Sequence, residues 1–346
     1  MEKLYFASDY MEGMHPEILK QLMLTNLEKT SGYGTDQYCA SAREKILRAC
    51  NAPDGEVWFI SGGTQTNGLI IKNLLRAYQG VIAARSGHIV SHEAGTIEHD
   101  GHKILCVPEY NGKLRAEDVE ALMEEYLNDD FNDHIVMPGM VYISQPTESG
   151  TLYSLAELEE LKALCQKYNL YLYLDGARLA YALSCPSNDV SLSDLARLCD
   201  AFYIGGTKCG ALLGEAVVFP KAGLIPRFFT LMKQHGALMA KGRALGIQFD
   251  TLFTDELYWK VGKTAIAYAD IIREMLQEKG LALCYGSPTN QVFVKLTDAM
   301  REKLEEQVVV SFWEKPDPEH AVVRLATSWA TTEEDVQRLL KIIDSL

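Results

Sequence analysis

The sequence predicts an α/β fold, with a large domain on a mainly parallel sheet followed by a small α+β domain at the C-terminus. Three observations lead there. From about residue 56 to residue 220, short apolar runs alternate with amphipathic segments of helical spacing, as strands joined by right-handed crossovers do. One run, Leu170-Tyr-Leu-Tyr-Leu174, is nearly all apolar, as a strand covered on both faces must be. After Pro220 the character changes to long helical segments, a few strands and a closing helix. A chain of 346 residues exceeds the usual size of one hydrophobic core. We therefore expect residues 1–250 to form the large domain and 251–346 the small one, with the first residues packing against the small domain.

Taken in order, β-branched and aromatic clustering predicts strands at 56–61, 80–84, 103–107, 140–144, 170–174, 201–205 and 215–219. Apolar residues at three- and four-residue spacing predict helices at 66–78, 116–126, 155–168 and 192–198 between them. Beyond 224, helical spacing runs through 249–257 and 265–276. Strands follow at 292–296, 308–313 and 321–326. Thr331-Thr332-Glu333-Glu334 supplies an N-terminal capping signal for a last helix over 332–346.

Composition narrows the function. The net charge of −14 argues against a nucleic-acid groove, which needs a basic excess to neutralise phosphates, while leaving room for a local basic pocket. No window approaches 18 uninterrupted apolar residues, and the start, Met-Glu-Lys-Leu-Tyr, lacks the basic stretch and apolar run of a signal peptide. The eight cysteines include no CxxC pair. Free thiols in a reducing cytoplasm are the expectation.

Three motifs lie at the C-terminal ends of predicted strands, where ligands of open α/β sheets gather. Ser61-Gly62-Gly63-Thr64-Gln65-Thr66-Asn67 links a strand to a helix. Its glycines let the backbone approach an anion, and the helix start offers unpaired N–H groups, though a plain strand-to-helix turn explains the stretch equally. Asp175-Gly176-Ala177-Arg178 follows the apolar strand. A carboxylate held there, where water is scarce, can keep a ring nitrogen protonated, and Arg178 can fork onto a carboxylate or phosphate; a helix-cap Asp with a solvated Arg reads as well from this stretch alone. In Gly205-Gly206-Thr207-Lys208-Cys209-Gly210 a lysine occupies a glycine-rich turn after a buried strand. Desolvation and nearby positive charge there would free its amine for Schiff-base chemistry, where an exposed turn lysine is the bland alternative.

In this order and at these intervals, the motifs make the chain resemble the threonine aldolase/β-eliminating lyase family, and within it the low-specificity L-threonine aldolases. The resemblance runs from about Ser8 to the C-terminus and is densest at 61–67, 88–95, 175–178, 207–208 and 323–328. It implies the aspartate aminotransferase type of fold (fold type I) and pyridoxal 5'-phosphate (PLP) as cofactor, bound by the large domain. By the resemblance, Lys208 carries the cofactor, Asp175 partners its ring nitrogen, Gly63 and Thr64 bind its phosphate, and His88 stacks on its ring. Glu93 stands near the same site, Arg178 and Arg324 grip the substrate carboxylate, and Ser8 assists them. Tyr33 and Lys241 would reach the site of a neighbouring subunit, making a homodimer or homotetramer with shared sites. The chain departs from the family at Ala7, where an arginine usually stands, at Gln145-Pro146-Thr147-Glu148, where Asn-Thr-His is common, and at Ser328, where a histidine is usual.

The reaction so implied is cleavage of a small β-hydroxy amino acid, threonine or allo-threonine, to glycine and an aldehyde, with His88 the first choice of base and His134 the second. β-Elimination or transamination on the same scaffold, and a binding protein that has lost catalysis, are the alternatives; intact Lys208, Asp175 and Arg178 argue against the last. His88, His92, Glu93, His99 and His102 cluster densely but match no zinc-ligand spacing, so no metal is expected.

Overall fold

The predicted apolar runs pair into one mixed sheet. The computed structural model describes residues 3–346. The chain opens on a short strand, β1 (Leu4–Tyr5), and two helices, Pro16–Thr25 and Gln37–Ala49. The central sheet takes β2 (Glu56–Ile60), β3 (Gln79–Ala84), β4 (Ile104–Val107), β5 (Met137–Ser144), β6 (Tyr171–Asp175), β7 (Ala201–Gly205) and β8 (Glu215–Phe219). Their spatial order is β2-β8-β7-β6-β5-β3-β4. Neighbours pair in parallel except at β8, which is antiparallel to both β2 and β7. The reversal has a simple cause. Residues 206–214 join β7 to β8 directly, and a connection that short cannot cross over to start a parallel strand.

Both faces of the sheet are covered. Along β5 and β6, Val141, Ile143, Leu172 and Leu174 enter one apolar cluster while Met140, Tyr142 and Tyr173 enter another. The period of two thus buries every residue, which is why these strands read as continuous apolar runs. The covering helices include Gly63–Leu74, Ala116–Asn128, Leu155–Tyr168 and Leu192–Leu198. Ser154 and Glu157 form a capping box at the start of the third, and Asn169 ends it in the left-handed region.

Helices Phe228–Gln234, Arg243–Leu252 and Leu257–Glu278 lead to β9 (Ala282–Leu283), β10 (Gln291–Thr297), β11 (Val308–Val309), β12 (Ser311–Asp317) and β13 (His320–Ala326). Four of these form an antiparallel sheet in the order β12-β13-β10-β9. The last helix, Glu333–Asp344, is capped by Thr332. β1 pairs with β11, and Leu4 and Phe6 join the apolar cluster of Val292, Val294, Val323 and Leu339. The single strand expected over 308–313 is therefore two: β11 serves β1, and after Val310 the chain joins β13. No helix among the described residues is long and apolar enough to cross a membrane.

Candidate active site

The loops that leave β2, β3, β5, β6 and β7 converge on two adjoining cavities of about 320 and 270 Å³. Tyr10, His88, Glu148, Arg178 and Lys208 line both. The larger also takes Gly62, Gly63, Thr64, Asp175 and Glu215; the smaller takes His92, Trp313 and Arg324. After β2, Gly62 stands at the head of helix Gly63–Leu74 in extended backbone with no side chain capping it, so the first N–H groups stay free for an anion. A Cβ on Gly62 would meet nothing within 4 Å, whereas one on Gly205 would lie 2.2 Å from the Ala177 carbonyl oxygen. That second clash shows how closely the turns carrying Asp175 and Lys208 cross.

Asp175 is buried and accepts four hydrogen bonds. Tyr203 Oη (2.5 Å) and the Ala177 N–H (3.0 Å) donate to Oδ1; Tyr142 Oη (2.7 Å) and Asn67 Nδ2 (3.0 Å) donate to Oδ2. Burial disfavours its charge, yet the positive field of His88 and these donors outweigh it and hold the carboxyl below its usual range. Lys208 lies in the turn between β7 and β8, its amine pulled down by burial and by the Arg178 charge, and so more readily neutral than an ordinary lysine. That turn is fixed by Glu215, which accepts from Gly206 N–H (3.0 Å) and Thr207 Oγ1 (2.9 Å). Burial pushes the Glu215 carboxyl up to about 8.

Two guanidiniums face the smaller cavity. Arg178 spends Nε and Nη2 on the buried Asp9 at 2.7 and 3.0 Å. Arg324 donates to Gln291 Oε1 (3.0 Å) and the Ala7 carbonyl (2.9 Å), while its buried Nε has no partner among the described residues. Burial and the neighbouring Arg178 charge lower Arg324 to about 10. Two guanidiniums bordering one cavity make a site for a carboxylate.

Within one chain these cavities bring together Gly63, Thr64, His88, Asp175, Arg178, Lys208 and Arg324. Glu93 and Ser8 line neither. Glu93 Oε1 instead joins His88 Nδ1 and Asn67 Nδ2, both at 2.7 Å, so this carboxylate positions the imidazole and does not reach a substrate. Burial opposes the charged ring, but Glu93 and Asp175 prevail and raise the His88 pKa. Tyr33 and Lys241 lie elsewhere, exposed and close in the fold through the Tyr33 N–H to Ala240 carbonyl bond. Arg243 is spent on the carbonyls of Thr25 and Glu28. His134 sits in a surface turn against Phe131 and is not a base for this site. His92 stacks between His88 and Trp313, and His102 bonds the Gln79 carbonyl.

Sequence reasoning missed Asp9, Asn67, Tyr142, Tyr203 and Glu215. The two tyrosines read as strand-core residues, and only the sheet register, which sets Ser144 opposite Asp175, shows their hydroxyls aimed at one carboxylate. Glu215 carries one visible signal, an acid opening an otherwise apolar strand.

The sequence model of the beta-eliminating lyase family matches residues 6–305. The chain is 30% identical over 307 residues to the low-specificity L-threonine aldolase of Pseudomonas aeruginosa, covering 86% of each. Its structure resembles the threonine aldolase of Leishmania major with a TM-score of 0.96 and 43% identity over 99% of each chain. Cystalysin of Treponema denticola, which contains pyridoxal 5'-phosphate, shares the fold at a TM-score of 0.74 and 14% identity, covering 99% of this chain and 90% of its own.

Proposed function

This chain belongs to the beta-eliminating lyase family, and on that footing we propose that Lys208 carries PLP in a site that cleaves threonine and allo-threonine to glycine and acetaldehyde. The protein is a PLP-dependent carbon–carbon lyase of the threonine aldolase kind. One observation supports the reading above the others: Lys208 stands between a cavity with an anion cradle and an ionised carboxylate, and a second cavity with two arginines.

The residues fit the cofactor. The uncapped helix start at Gly62, Gly63 and Thr64 matches a phosphate, and Asp175, ionised and buried, matches a protonated ring nitrogen. When bound, PLP supplies an electron sink for the pair left on Cα when a bond to it breaks. The chain supplies orientation. Arg178 and Arg324, which border the smaller cavity, are the cations available to the substrate carboxylate, and holding it there turns the Cα–Cβ bond toward cleavage. His88, clamped to Glu93, presents its ring at the junction of the two cavities.

Assembly and location belong to the same proposal. Tyr33 and Lys241 sit together outside the two active-site cavities, and the nearby helix Pro16–Thr25 exposes Leu19, Met23 and Leu24. Both features support a homodimer, or a tetramer built from dimers, in which a partner completes each site. Eight free cysteines support a cytoplasmic location.

A product assay tests the reaction. Purified protein given L-threonine, L-allo-threonine or L-serine should yield glycine and the matching aldehyde. Ammonia with 2-oxobutanoate from threonine, or with pyruvate from serine, would mark elimination and overturn the aldolase reading.

A further inference from the structure

We infer that Glu148 is the catalytic base of the cleavage, taking the β-hydroxyl proton of the substrate on Oε2. The inference rests on the aldolase reading and gives the role of base to Glu148 in place of His88.

Among the described residues, three carboxylates line the two cavities: Asp175, Glu215 and Glu148. Asp175 has both oxygens taken by four donors, and Glu215 has one donor on each oxygen. Glu148 differs. Its Oε1 accepts from the His88 N–H (3.0 Å) and Ser144 Oγ (2.8 Å), while Oε2 takes no hydrogen bond from the described residues and is not sealed from the cavity. Glu148 alone of the three borders both cavities, and thus the junction between the cofactor end and the carboxylate-binding end. A β-hydroxyl on a substrate held by Arg178 and Arg324 must lie near that junction. The loop that presents Glu148 is braced: Gln145 Nε2 donates to the Tyr153 carbonyl (3.1 Å), the Tyr153 N–H returns to Gln145 Oε1 (2.9 Å), and the Thr147 N–H bonds the Thr151 carbonyl (2.9 Å).

The other titratable groups at the junction are less suited. His88 has Nδ1 committed to Glu93; burial disfavours its charged form, but Glu93 and Asp175 outweigh it and raise its pKa. Lys208 is reserved for the cofactor, and Arg178 and Arg324 are cations. Burial and the Asp175 charge make the Glu148 carboxyl a stronger base than an exposed glutamate, in line with the proton it must accept. In the step, the O–H bond breaks and its proton goes to Glu148 Oε2. The oxygen pair becomes the second bond of the aldehyde carbonyl, the Cα–Cβ pair stays on Cα, and Cα then takes up one proton to complete glycine.

Glu148→Gln tests this, because an amide oxygen still accepts from His88 and Ser144 while no group is left to take a proton. We expect the variant to hold one PLP per chain and to bind glycine, which has no β-hydroxyl, within threefold of the wild-type affinity by absorbance titration. Its kcat on L-threonine should fall by about 10²–10⁴-fold. Cleavage within threefold of wild type would overturn the assignment. So would a loss of glycine affinity as large as the loss of cleavage, which would make Glu148 only a brace for the His88 loop. Glu148→Asp, which keeps the carboxyl and draws it back by one carbon, serves if the first variant loses cofactor: kcat down at least tenfold with KM within threefold supports the role, and an unchanged kcat overturns it. The wild-type product assay, run first, separates the two failures, since ammonia in place of glycine sinks the aldolase reading whatever Glu148 does.

Discussion

At the scale of single residues, the site is a chain of polar groups in which each charge is answered by the next. His88 Nδ1 meets Glu93, Glu93 meets Asn67, Asn67 meets Asp175, and Asp175 is held by Tyr142 and Tyr203. Asp175→Asn keeps the shape but removes the charge opposite a ring nitrogen. The variant should retain PLP yet lose about 10²-fold or more in kcat, as checked by cofactor content and steady-state rates; wild-type rates would reduce Asp175 to a cap. Glu93→Gln removes the partner that lifts His88, so an NMR titration of the His88 ring should show its pKa fall toward the solution value. Lys208, Asp175 and Arg178 were legible in the sequence because glycine-rich turns after apolar strands leave few reasons for a charged residue. Their hydrogen-bond partners were not legible. A tyrosine in a buried strand looks the same whether its hydroxyl meets a carboxylate or not, and Asp9 lies 169 residues from the Arg178 it pairs with.

At the scale of elements, the turn between β7 and β8 sets the lysine in place, and two glycines near it do different work. Gly205→Ala drives a methyl into the Ala177 backbone, so the urea midpoint should drop by the equivalent of about 1–3 kcal/mol. Gly62→Ala finds open space, so stability should hold while PLP is retained less tightly, because the added methyl enters the cavity that the cofactor fills. Glu215 makes stability pH-dependent. Its folded pKa of about 8 lies above the ordinary 4.5, so its contribution is fully present below 4.5 and lost as pH rises through about 8. Cofactor-stripped wild type should therefore lose stability across that window in denaturant titrations, and Glu215→Gln should flatten the decline. Strands were read from sequence to within a few residues because both-face burial gives five-residue apolar runs. Helix Gln37–Ala49 went unread: it buries only Cys39, Ala42 and Ile46, too sparse a stripe to stand out, and its one start signal is the N-cap Asp36. The 308–313 run misled for another reason, since two adjacent strands that serve different sheets leave no mark in the local pattern.

At the scale of the whole molecule, a parallel sheet delivers its loops to one edge, and the C-terminal sheet closes over that edge through Arg324 and Trp313. Tyr33 and Lys241 line neither active-site cavity, which carries the expectation of shared sites. Mixing Lys208→Ala subunits with Lys241→Ala subunits should restore activity in hybrids, since one of the two sites is then intact; hybrids shown to form without recovery would refute sharing through Lys241. The central claim is narrower and more directly tested. PLP-loaded protein is reduced with borohydride, digested and mapped by mass spectrometry. The account predicts one phosphopyridoxyl adduct per chain, on the peptide that contains Lys208; an adduct on the peptides of Lys221 or Lys233 instead, or none, would contradict it.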